Sequence, residues 1–337
     1  MDNIEIISTL PGDSNFHLFE SFPKEIYAAD SIRFKLTETI NKEFLESCFV
    51  ITANGKPLAR AALYNNPYLN YRNKKTFCVG NYESIDDIKV SAVLLEHIYS
   101  VAKNKDAEFL IGPMNGSTWD SYRFSTHHNF PNFFLEPYHH LYYNDHFLNN
   151  GFEILSSYFS SIDKSLKCDH PDVISRENEL INQGVKFRNV NLLDFESELK
   201  ILFEFNSIAF KTNFLYSPIL EKDFINKYVE TKKIINPEFV ILAEDADNNL
   251  IGYLFCVNDL FNTKEKSLII KTAARHPDKK WKGLGHVMSN LIYRKAISQN
   301  YKSIIHALML NEGTSKKISK DFSGDGYKNY TLYGKSL

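Results

Sequence analysis

The chain repeats one order of elements, and that repeat limits what it can fold into. Residues 47–63 read as an apolar strand, a turn at Asn54-Gly55 and a second apolar strand, and residues 239–257 do the same around Asp247-Asn248-Asn249. Each predicted hairpin is followed by a further strand (76–81; 268–275), a loop and an amphipathic helix (90–103; 285–299). Short apolar strands follow, Phe109-Leu110-Ile111 in one half and Ile304-Ile305-His306 in the other, and they lead into similar segments, 113–118 and 308–315. Ile98-Tyr99 and Ala102 of the first helix align with Ile292-Tyr293 and Ala296 of the second. A self-similar order over most of 337 residues predicts two related units.

Strand, loop, helix, strand implies a right-handed crossover between parallel neighbours, whereas the preceding hairpin is antiparallel. Each unit is therefore expected to be a mixed sheet flanked by helices, an α+β architecture present twice. The expected division is a first domain over 1–165, a polar and helical connector over 166–184 that ends at Gln183-Gly184, and a second domain over 185–337.

Charge and cysteine usage narrow the function classes. A net charge of −2 gives no basic excess that would favour nucleic acid or an anionic membrane. Cys48, Cys78, Cys168 and Cys256 form neither a CxxC pair nor a metal-ligand spacing and read as reduced thiols. With no basic, apolar leader at Met1-Asp2-Asn3-Ile4-Glu5 and no run of about 18 apolar residues, a cytoplasmic protein is expected. His127, His128, His139, His140 and His146 lack accompanying carboxylate or cysteine spacing, so no metal is expected.

The candidate chemistry lies before the second helix. Pro277 stops the strand, and Gly283 and Gly285 flank the helix start, where glycines permit close backbone approach and free amides favour a phosphate anion. Lys279, Lys280 and Lys282 add positive charge. The alternative is an ordinary helix start with solvated lysines.

Arg275-His276-Pro277-Asp278-Lys279-Lys280-Trp281-Lys282-Gly283-Leu284-Gly285 resembles motif A of the GNAT N-acetyltransferases, V-x-P-x-x-[RQ]-x-x-G-x-[GA], with the proline and both glycines in register. Lys280 stands where that family has Arg or Gln, Trp281 where glycine is common, and Arg275 where a small apolar residue is usual. Arg275 either crowds the acyl end or contacts an acidic substrate. The duplication resembles tandem GNAT proteins, which implies two acyl-CoA N-acyltransferase-like domains. The resemblance implies that the pyrophosphate of acetyl-CoA, as co-substrate, meets Ala274, Arg275, Lys280, Trp281, Lys282, Gly283, Leu284, Gly285 and His286, with Asn311 on the pantetheine arm or capping a helix. The first half has Ser84-Ile85-Asp86-Asp87-Ile88-Lys89 at the corresponding place, without glycine and with two aspartates, so it resembles a GNAT domain without a cofactor site. Residues 142–152 are similar to the family's final helix and Gly-Phe turn.

That resemblance implies direct attack by a primary amine in a ternary complex. The oxyanion would face a backbone N–H of the strand, that of Arg275 or of its neighbour Ala274. His276, His306 and Glu244 are candidate bases. The family's frequent tyrosine acid would fall near Ile318, and Ser315, Tyr327, Tyr330 or Tyr333 are possible substitutes. Residues 112–123 combine a turn, aromatics and an arginine where GNAT substrate loops often lie, which makes Trp119, Tyr122 and Arg123 substrate candidates or interdomain contacts. The expected partner is a small-molecule or amino-acid-like amine, with no nucleic acid or membrane, in a monomer or homodimer. The alternatives are a Fem-like aminoacyl transferase using aminoacyl-tRNA, and an acyl-CoA-binding pseudoenzyme.

Overall fold

A computed structural model describes residues 4–27, 40–312, 319, 321–322 and 324–337. The first unit runs β1 (Ile4–Thr9), α1 (Phe16–Ile26), β2 (Leu45–Ala53), β3 (Lys56–Tyr64), the short β4 (Asn70–Tyr71), β5 (Lys74–Ser84), α2 (Ile88–Asn104), β6 (Phe109–Gly112), the short β7 (Phe124–Ser125), α3 (Tyr142–Asn149) and β8 (Glu153–Asp163). A connecting helix, α4 (Pro171–Asn182), leads to β9 (Lys186–Asn189), α5 (Phe195–Ala209), α6 (Glu221–Tyr228), β10 (Val240–Glu244), β11 (Leu250–Asn258), β12 (Ser267–Arg275), α7 (Leu284–Ser298), β13 (Ser303–Leu310) and β14 (Asp325–Ser336). The first hairpin turns as its sequence predicts, with Asn54 and Gly55 both at positive φ (50° and 75°).

All the strands except two short ones pair in the order β1-β2-β3-β5-β6-β14-β8-β13-β12-β11-β10-β9, with β4 attached to β5 and β7 to β14. The pairs β5–β6 and β12–β13 are parallel, each joined by a helical crossover, α2 or α7. The repeat thus appears as two copies of antiparallel hairpin, parallel crossover and splayed strand. The last strands are exchanged: β14, from the end of the chain, pairs with β6 of the first unit, and β8 pairs with β13 of the second. A division at 166–184 separates the sequence, but the sheet runs through it.

Each unit has an apolar core on either face of the sheet. On one face of the second unit Leu254, Leu268, Leu284, Met288 and Ile292 pack α7 against the strands, and on the other Phe195, Leu199, Leu202, Phe205 and Tyr253 pack α5. Gly252 permits the first contact, since a Cβ there would lie 2.8 Å from Leu284 and 3.2 Å from Met288. It sets the start of α7 close over the sheet.

Candidate functional site

The loop between β12 and α7 is built from its own short-range capping. Asp278 accepts from the Lys280 amide (2.9 Å) and starts a 3-10 turn over Lys279–Trp281. Trp281 is buried in the core beneath, so the bulky residue in a place where the motif often has glycine anchors the loop and leaves its backbone outward. Lys279, Lys280 and Lys282 are exposed, and the Lys280 ammonium lies 4.7 Å from the Trp281 ring centroid. Gly283, at φ 89°, caps α7 with no side-chain acceptor. Among the described residues, the Leu284 and Gly285 amides have no partner, which leaves a helix N-terminus open to an anion.

The connecting helix holds this loop from behind. Arg176 of α4 donates to the carbonyls of Lys280 (2.6 Å) and Lys282 (2.9 Å), and its Cγ lies 3.0 Å from the position of a Gly283 Cβ. Of the two loop peptides it engages by their carbonyls, the Trp281 N–H already donates to the Asp278 carbonyl (3.2 Å), and among the described residues the Gly283 N–H is left for a ligand. Replacing Arg176 with alanine is expected to weaken anion binding at the loop about 10-fold, or about 1.4 kcal/mol, with inorganic pyrophosphate as the probe in a calorimetric titration.

Below the loop, the outer part of β12 has an edge that no described residue pairs with. Its pairing with β13 ends at Ile270–His306, after which β13 bulges at Leu308 (φ 58°) and follows β8 through Met309 and Leu310. The His276 amide donates to Ile251 of β11 (2.8 Å), so strand alternation turns the Ala274 amide toward β11 and those of Ala273 and Arg275 toward the slot. Of the two amides expected at the oxyanion, Arg275 faces the opening. The Arg275 side chain turns back to donate to the carbonyls of His276 (2.6 Å) and Asp278 (2.7 Å).

The first unit has closed both features. Its helix α2 is capped by Asp87, whose carboxylate accepts from the amides of Lys89 (2.8 Å) and Val90 (3.2 Å), the groups an anion would otherwise use. Its slot is filled by chain, because Met114 donates to the Val79 carbonyl (2.8 Å) and Asn115 Oδ1 accepts from the Asn81 amide (2.8 Å). A Cβ at Gly80 would lie 2.5 Å from both Asn115 Oδ1 and the Met114 carbonyl. The two units share a fold, and one of them has room for a ligand at this place.

The remaining site residues are distributed as follows. His276 Nδ1 lies 3.2 Å from the Asp278 amide at the loop's edge. Glu244 receives Arg188 (2.6 Å), which also binds Glu198. His286 pairs with Asp321 (2.9 Å), and Asn311 is tied to the Ser157 carbonyl through its backbone (3.1 Å). The hydroxyls of Tyr327, Tyr330 and Tyr333 bond to Pro131, to Ser160 and Glu136, and to Asn144. Ser315 lies outside the described residues. Among the described residues no three His, Cys, Asp or Glu converge to hold a metal ion, and no helix is long and apolar enough to cross a membrane.

His306 is buried on the α7 face. Tyr293 donates to Asp163 (3.0 Å), so the contact between its oxygen and His306 Nε2 (2.9 Å) places the imidazole proton on Nε2. Burial pulls the imidazole down from 6.5 to about 4. Because the folded value is the lower one, the unfolded chain takes up this proton first as the pH falls below 6.5, and stability drops with it until about pH 4. The contribution is roughly 2 kcal/mol lost at pH 5 relative to pH 8. Urea unfolding at the two pH values should show it, and His306→Asn should flatten the difference.

The loop after β6 crosses to the second unit. Trp119 donates its indole N–H to the Ser217 carbonyl (2.8 Å) and packs on Phe210 and Phe224. It helps line a cavity of about 480 Å³ whose wall includes Leu199, Leu202, Phe224, Tyr228 and Val240, with Lys271 and Thr272 of β12. Tyr122 and Arg123 line a second cavity of about 240 Å³ beside Glu83 and Arg60. Lys271, Asn115 and Arg176 were not singled out from the sequence, since each acts through a long-range neighbour.

No family model matches the sequence, and no curated protein matches it. Among solved structures, the chain is similar over 100% of its length to a GCN5-related N-acetyltransferase from Sphaerobacter thermophilus, at 11% identity and TM-score 0.53 over 96% of that chain. Over 99% of its length it is similar to a tandem GNAT protein from the clavulanic acid biosynthesis pathway, at 8% identity and TM-score 0.56 over 98% of that chain. Over 98% it is similar to a GCN5-related N-acetyltransferase from Anabaena variabilis, at 9% identity and TM-score 0.56 over 72% of that chain. Likeness at these identities shows the fold, which is the tandem GNAT fold that the repeat and the loop predicted.

Proposed function

We propose that the chain is a GNAT-type N-acyltransferase that binds one acyl-CoA, acetyl-CoA in the simplest case, in its second unit and passes the acyl group to a primary amine. The observation that carries this reading is the asymmetry between the units. Among the described residues, an uncapped helix N-terminus stands over an unpaired strand edge in the second, while Asp87 and Asn115 occupy the same two places in the first. The residues fit the group: Leu284 and Gly285 offer free amides to a pyrophosphate, and Ala273 and Arg275 offer theirs to the arm along β12. From Arg275 to the closed end of the slot at Lys271 the strand rises roughly 13 Å, a span suited to an extended pantetheine arm.

The acyl-CoA supplies a thioester as the electrophile. With the arm running from the loop toward the closed end of the slot, the slot-facing amide nearest its thioester is that of Ala273 rather than the expected Arg275, which makes Ala273 the favoured donor to the developing oxygen charge, and the cavity beside β12 excludes water around the incoming amine. The four free cysteines fit a reducing, cytoplasmic setting. Coenzyme A titrated calorimetrically should bind once per chain, and a broad amine panel with acetyl-CoA should release thiol. An absence of binding at near-millimolar coenzyme A would refute the reading, and binding without release from any amine would convert the proposal to that of a pseudoenzyme.

A further inference from the structure

The cavity beside the slot holds an unanswered charge. Phe255 of β11 faces Thr272 and Cys256 faces Ile270, so Lys271 is the extra residue of a β-bulge, and it lines the cavity together with Thr272. Ile270 is the last residue of β12 paired with β13, which puts the lysine at the closed end of the slot. The cavity's other lysine, Lys227, is neutralised by Asp120 (2.5 Å). Among the described residues no carboxylate lies within ion-pair distance of Lys271. Its surroundings are enclosed although the side chain is partly open to the cavity, and burial, with the nearby Arg123 charge, pulls it down to about 8. It remains mostly cationic at neutral pH. Leu199, Leu202, Phe224, Val240 and Tyr253 make the rest of the wall largely apolar.

A cation facing an apolar chamber without a counter-charge is best complemented by an anion brought by the ligand. We propose that the acceptor is a free α-amino acid with a large apolar side chain, its carboxylate held by Lys271 and its side chain in the chamber. An α-amine sits one carbon from the carboxylate, so anchoring on Lys271 brings it to the closed end of the slot. A volume of about 480 Å³ has room for an aromatic amino acid. The placement of the amine rests on the acyltransferase reading above. In the reaction the amine nitrogen forms a bond to the thioester carbon and the carbon–sulfur bond breaks. The proton lost by nitrogen balances the one gained by sulfur, giving an N-acetyl amino acid and coenzyme A.

Binding and turnover test separate parts of this. L-Phenylalanine titrated into the full chain in the presence of coenzyme A should bind at least 10-fold more tightly than phenethylamine, which has the same ring and amine without the carboxylate. Lys271→Met should erase that preference while leaving the coenzyme A affinity within about 3-fold, and Lys271→Arg should restore part of it. With acetyl-CoA, thiol release should show the same order of kcat/KM. Equal binding of phenylalanine and phenethylamine, or an unchanged preference in Lys271→Met, overturns the proposal. So does coenzyme A binding with thiol release from other amines and none from phenylalanine or leucine. If coenzyme A itself does not bind, the acyltransferase reading fails, and the phenylalanine titration alone still decides whether the cavity is an amino-acid site.

Discussion

A Gly283→Val chain is expected to bind coenzyme A at least about 100-fold more weakly than the native chain, a loss of about 2.7 kcal/mol or more. Gly283 sits at φ 89°, in the left-handed region that a β-branched residue avoids, and a Cβ there would approach Arg176 Cγ to 3.0 Å. The first turn of α7 would have to reposition, and the Leu284 and Gly285 amides would lose their common direction. Backbone strain alone also lowers stability, so a control is needed. Gly55→Val supplies it: that residue has φ 75° in the first hairpin with nothing within 4 Å of its Cβ position. Both variants should melt a few degrees lower, while Gly55→Val keeps the native coenzyme A affinity in a calorimetric titration. Equal affinities in both variants would remove the loop from the binding site.

The same loop shows what a sequence can and cannot carry. Pro277, Gly283 and the helix start after it are local features, and the hairpins at Asn54-Gly55 and around Asn248 are set by residues that accept positive φ, so both were legible from spacing. The degenerate loop of the first unit was legible too, although the sequence suggests repulsion by its aspartates. The structure gives a more specific reason, in that Asp87 takes the two amides an anion would need. Exchange of β8 and β14 between the units depends on pairing between segments more than a hundred residues apart, and no local pattern encodes it. Asn115 in the first slot and Lys271 in the second-unit cavity are invisible for the same reason. One matters because of which strand edge it meets, and the other because of a bulge defined by its neighbour strand. His306 shows the converse: its residue type suggested a base, while its burial and its bond to Tyr293 make it a neutral strut.

Arg123 joins the two units where the slot is formed, and its replacement by alanine should therefore cost both stability and activity. The side chain is buried between Tyr122 (3.8 Å from guanidinium carbon to ring centroid) and Tyr158 (4.2 Å), and it donates to the Leu308 carbonyl at 3.0 Å. The Leu308 amide donates to Ser160 Oγ (2.9 Å), so this residue is held from both sides at φ 58°. Leu308 is where β13 leaves β12, and two bonds keep it in a conformation that leucine does not favour. Losing a buried hydrogen bond to a charged donor and two cation–π contacts should lower stability by about 3 kcal/mol, read as a urea midpoint shift. Without that bond, β13 is free to relax toward β12, and the slot narrows. Coenzyme A affinity should then fall about 10-fold at a temperature well below the variant's melting point. Arg123→Lys keeps the charge but not the planar stack, and is expected to recover part of the affinity with less of the stability. A variant that loses stability yet binds coenzyme A as the native chain does would make Arg123 a strut of the sheet alone, and the width of the slot would then be set by the exchanged strand β8.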